Sequence, residues 1–96
     1  VIGVPEWVDA ELAAAYGVTK RQQDILVGIA KGAMNAEIAR ALFLSEDTVH
    51  THVRGLFRKL KVGNRAAAVA VSYDLGILRT RAMRVERARA SGLRVA

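Results

Sequence analysis

An all-α domain is what this sequence predicts. Three features point there. Only one proline is present, Pro5. No segment alternates apolar and polar residues as a half-buried strand requires. Apolar residues instead recur at intervals of three and four. A chain of 96 residues suits one domain with a thin core, so burial of further surface against a second copy is expected.

The elements follow in order. Pro5 is placed to open a first helix over residues 6–16, which Gly17 ends. Thr19 followed by Gln22 has the form of a capping box. The helix it starts buries Ile25, Leu26 and Ile29 and stops at Gly32. Asn35 is placed to cap a short helix with Ile38, Ala39 and Leu42 on its apolar face. Phe43 and Leu44 then turn the chain.

Ser45 caps a longer helix over residues 46–60, with Glu46 and Asp47 at its positive end and Arg58 and Lys59 at its negative end. Its apolar stripe is Val49, Val53, Leu56 and Leu60. Gly63 breaks the chain, and Asn64 caps a fourth principal helix over residues 65–75, which Gly76 ends. That helix carries Ala66, Ala67, Ala68, Val69, Ala70 and Val71 and is apolar on more than one face, which predicts a partner.

Residues 79–96 hold six arginines and little apolar periodicity. Three readings stand for this basic tail: a solvated end, a further helix, or an arm that adds phosphate contacts. The chain therefore divides into an N-terminal helix or extension (1–17), a central helical domain (18–78) and the tail (79–96).

Composition narrows the function. With no cysteine, disulfides and thiolate metal sites are excluded. No stretch reaches the roughly 18 apolar residues of a membrane span, and no signal peptide is apparent. A cytoplasmic, nucleoid-associated protein without a cofactor is expected. Charge is uneven: residues 1–48 hold four Lys/Arg against seven Asp/Glu, and residues 49–96 hold eleven against two. A basic half points to a polyanion, nucleic acid before an acidic membrane.

A short helix, a three-residue turn and a longer capped helix form a helix-turn-helix, whose second helix enters the DNA major groove. Asp47, His50, Thr51, Arg54 and Arg58 fall on the side opposite the aliphatic stripe. The chemistry suits base reading. Arg54 can fork to guanine O6 and N7, His50 can donate to guanine or accept from an amine, and the Thr51 methyl can touch thymine. His50 and His52 do not face each other on a helix, and no third ligand is near, so a metal site is not expected. Trp7, Tyr16 and Tyr73 read as packing residues before stacking residues. Gly55 costs about 1 kcal/mol in a helix interior and either admits a close approach to DNA or has no role.

The segments V-T-K-R-Q-Q-D-I-L (18–26), N-A-E-I-A-R-A-L-F-L-S-E-D-T-V-H-T-H-V (35–53), R-K-L-K-V-G-N-R-A-A-A-V (58–69) and G-I-L (76–78) resemble the DNA-binding domain of the LuxR/FixJ/NarL, or GerE-type, regulators. The resemblance implies four helices, base contacts from His50, Thr51 and Arg54, and backbone contacts from Thr48, Arg58, Lys59 and Arg65, with Asn35 and Lys20 as further candidates. It implies dimerisation through the fourth helix, for which Val69, Ala70 and Tyr73 are the candidate contacts. Double-stranded DNA, a second copy and a protein such as RNA polymerase or another regulator are the expected partners.

The family usually has Glu at the positions of Gln22 and Asp24 and often Lys at that of His50. The competing reading is a protein-docking module like sigma-factor region four. RNA binding lacks a stacking platform, and no residue constellation supports an enzyme.

Overall fold

The computed structural model describes residues 7–80. Its elements are β1 (Trp7–Val8), α1 (Ala10–Ala15), α2 (Lys20–Ala30), α3 (Asn35–Leu42), α4 (Glu46–Leu60), α5 (Arg65–Asp74) and β2 (Leu78–Arg79). The fold is all-α in class. The strands contribute two residues each, paired antiparallel with Trp7 opposite Arg79 and Val8 opposite Leu78.

The predicted caps act on three helices. The Thr19 hydroxyl accepts from the Gln22 N–H and the Gln22 side chain accepts from the Thr19 N–H, which closes the capping box of α2. Ser45 accepts from the Thr48 N–H at the start of α4, and Asn64 accepts from the Ala67 N–H at the start of α5. Each such cap holds an otherwise orphan donor and is worth about 1 kcal/mol. Gly32 (φ 86°) and Gly76 (φ 80°) take left-handed conformations beyond α2 and α5, as the sequence leads one to expect.

The first helix is corrected. It spans Ala10–Ala15, with Asp9 as N-cap, its carboxylate oxygen accepting from the Leu12 N–H; Trp7–Val8 are extended instead. Two residues were too few to show a strand period, and their partner lies some seventy residues away. Pro5 falls outside the described residues, as does the Trp7 side chain. Tyr16 is also corrected: it ends α1 and is exposed.

The tail boundary shifts for the same reason. Arg79 is buried, pairs with β1, donates Nε to the Gly76 carbonyl and places Nη2 3.2 Å from the Asp9 carboxylate. That carboxylate thus serves α1 and the ion pair together. The rest of the basic tail, residues 81–96, lies outside the described residues.

The core joins Ile25, Leu26 and Ile29 of α2, Ile38 and Ala39 of α3, and Val49, Val53, Leu56 and Leu60 of α4. Ala13, Val18, Ala68, Ile77 and Leu78 complete it. Burying each larger aliphatic side chain contributes about 1.5–3 kcal/mol. α4 packs on α2 and α3, and α5 packs on α2 and α4. Helix α4 is thereby fixed along one side and left open on the other.

Candidate nucleic-acid interface

The four core residues of α4, at 49, 53, 56 and 60, occupy one stripe of its surface. Asp47, His50, Thr51, Arg54 and Arg58 fall opposite, and all five are exposed. The predicted base-reading trio is therefore brought together on one open face.

Hydrogen bonds set what two of the hydroxyls on α4 can offer. Thr51 donates its hydroxyl to the Asp47 carbonyl one turn back at 3.0 Å. Its proton is spent inside the helix, which leaves a methyl and an acceptor for a ligand. Thr48 is the reverse case. Its Oγ1 accepts from the Ser45 hydroxyl at 2.9 Å, so its own proton remains available to an anion.

The predicted backbone contacts are spread over four helices, α2 to α5. Lys20 is exposed on α2, and its amine lies 3.2 Å from the Asp24 carboxylate. Such an exposed pair is worth little and yields readily to a phosphate. Arg58 and Lys59 are exposed at the end of α4, where they also complement its negative pole. Lys59 leans across the α1–α2 turn: a methyl group on Gly17 would stand 3.3 Å from its Cδ.

Asn35 and Arg65 stand apart from the others. Met34 is the N-cap of α3, not Asn35 as the sequence pattern suggests, and Asn35 is the first helical residue. Its side chain turns away from its own helix and accepts from Arg65 Nη1 at 2.8 Å. The other terminal nitrogen of Arg65 donates to the Ala33 carbonyl. Sequence patterns reach a few residues, and this contact spans thirty.

A methyl group on Gly55 would stand 2.9 Å from Gln22 Nε2, so the glycine faces the tip of that side chain on α2. His52 is half-buried, on the flank between the core and Gly55. Among the described residues no group of three His, Cys, Asp or Glu is placed to hold a metal ion, and no helix is long and apolar enough to cross a membrane.

On α5, Ala66 and Ala70 are exposed, while Val69 and Tyr73 are half-buried and pack on the core edge. Burial raises the Tyr73 hydroxyl above its ordinary pKa. The predicted dimer contacts are thus one open alanine and two side chains with part of their surface exposed.

Two helices, α3 and α4, joined by residues 43–45 and backed by α2 and α5, define a helix-turn-helix DNA-binding domain. The chain belongs to the luxR family of bacterial regulatory proteins, whose family model, GerE, matches residues 17–72. Its relatives are transcription regulators, not enzymes. One is an uncharacterized transcriptional regulatory protein of Bacillus subtilis, YhcZ, 51% identical over 69 residues, covering 70% of this chain and 32% of that protein. A second is the CsgBAC operon transcriptional regulatory protein of Escherichia coli, 49% identical over 57 residues, covering 59% of this chain and 26% of that protein. A third is the nitrate/nitrite response regulator protein NarP of Escherichia coli, 47% identical over 51 residues, covering 53% of this chain and 24% of that protein. The chain spans about a quarter to a third of the length of these relatives.

Proposed function

We propose that this domain directs a transcription regulator to specific double-stranded DNA by laying α4 in the major groove, as a dimer joined through α5. The observation that carries the reading is the exposed face of α4, where His50, Thr51 and Arg54 stand opposite a fully packed aliphatic stripe. In this reading the trio reads bases, and Lys20, Thr48, Arg58 and Lys59 hold phosphates. The available Thr48 proton and the basic end of α4 support those roles. The open alanines of α5 support the dimer. The protein would then work in the cytoplasm, on the nucleoid.

The test is fluorescence anisotropy with a bound promoter fragment. Affinity is expected to fall with salt at a slope of about 0.9 per phosphate neutralised. Arg54→Ala is expected to lose about 1–3 kcal/mol on the preferred site and to relax one base position. Equal weakening on all sequences would make Arg54 a phosphate contact instead.

A further inference from the structure

We infer that Arg65 is a positioning residue: its guanidinium turns the Asn35 side chain so that the amide NH2 donates to a DNA phosphate. The inference deepens the groove-binding reading and rests on it.

Arg65 is the first residue of α5. A cation at the positive end of a helix is unfavourable there, so its placement points to a contact elsewhere. That contact is the half-buried fork over the start of α3, one terminal nitrogen on Asn35 Oδ1 at 2.8 Å and the other on the Ala33 carbonyl. Two acceptors at fixed separation suit a planar guanidinium and not an ammonium.

The chemistry then dictates which way Asn35 faces. Arginine carries donors only, so Asn35 has to give it the oxygen. The NH2 group is left pointing off Arg65 with two donors to place. Asn35 opens α3, and the first helix of a helix-turn-helix is the one that crosses the DNA backbone. Arg65 spends its own fork inside the protein and acts on DNA through Asn35. The same clamp ties the start of α5 to the turn before α3.

Five variants of the whole chain test this by anisotropy on the preferred site, at temperatures where thermal melts show each one folded. Asn35→Asp keeps an oxygen for Arg65 but removes the donor and sets a carboxylate against the phosphate. Affinity should fall about tenfold or more while the melting midpoint holds. Arg65→Lys keeps the charge without the fork and should also bind several-fold more weakly. Arg65→Gln should weaken binding and leave the salt slope unchanged. In an Asn35→Ala background, Arg65→Gln should cause no further loss.

Full affinity in Arg65→Lys, a slope lowered by about 0.9 in Arg65→Gln, or additive losses would overturn the inference, because Arg65 would then touch phosphate itself. Wild-type affinity in Asn35→Asp beside a weakened Arg54→Ala would sink this inference alone. A chain indifferent to Arg54→Ala would sink the groove-binding reading beneath it.

Discussion

Gly28 of α2 lies directly against Ile38 of α3: a methyl group at position 28 would stand 2.9 Å from Ile38 Cγ1 and 3.2 Å from its Cδ1. A glycine inside a helix lowers stability by up to about 1 kcal/mol relative to alanine. Here that loss is the condition for close packing of α2 on α3. Ile38 is buried and β-branched, so it has little freedom to withdraw. Overpacking of this kind costs about 1–3 kcal/mol. Gly28→Ala is therefore expected to destabilise by about 1 kcal/mol net, seen as a lower urea midpoint at unchanged slope. A stabilised variant would show that α3 moves freely over α2.

Phe43 predicts a change of opposite sign. It caps α3 with φ 58° and ψ 43°, and its side chain is 94% exposed. The left-handed conformation strains a residue with a Cβ by about 1–2 kcal/mol, and this ring recovers almost none of it by burial. Phe43→Gly should raise stability by about 1 kcal/mol in a urea melt. No gain would mean that the aromatic ring stabilises the turn by a contact absent from this packing.

The helical part of the fold was legible because its signals are local. Thr19, Ser45 and Asn64 cap within three residues of themselves, and the stripe of α4 repeats within one helix. The open face holding His50, Thr51 and Arg54 follows from that stripe by geometry alone. What escaped was long-range. The pairing of Trp7–Val8 with Leu78–Arg79 and the Arg65–Asn35 clamp join residues that no helical period relates. Asn35 has the chemistry of a cap, but tertiary partners decide how it is used. The role of Gly55 stayed open because sequence places a glycine on a helix without saying which neighbour it faces.

Thr51 supports a prediction about base chemistry. Its hydroxyl is committed to the Asp47 carbonyl, so under the proposed docking its methyl is what a thymine meets. Replacing the contacted thymine by uracil removes one methyl from the contact, worth about 0.8 kcal/mol or roughly fourfold in affinity. Thr51→Ser keeps the internal hydrogen bond and lacks the methyl. The uracil effect should appear with the wild-type chain and vanish with Thr51→Ser in anisotropy titrations. Equal sensitivity of both proteins to uracil would assign the thymine contact to another side chain.

Ala70 gives the cleanest test of assembly. Val69 and Tyr73 are half-buried and pack on the core, so substitution at either confounds folding with association. Ala70 is exposed, as is Ala66 one turn earlier on α5. An arginine at 70 can therefore extend into water without disturbing the monomer. In a dimer through α5 the same side chain would be forced against its symmetry mate, two cations in a closed apolar contact. Under the proposed assembly the wild-type chain should sediment as a dimer and Ala70→Arg as a folded monomer. Binding to paired half-sites about one helical turn apart should then lose its cooperativity, while a single half-site keeps its affinity. Ala70→Glu controls for the added positive charge, since it should break the dimer equally. If both variants remain dimeric, α5 is not the interface, and its open alanines face solvent or a different partner.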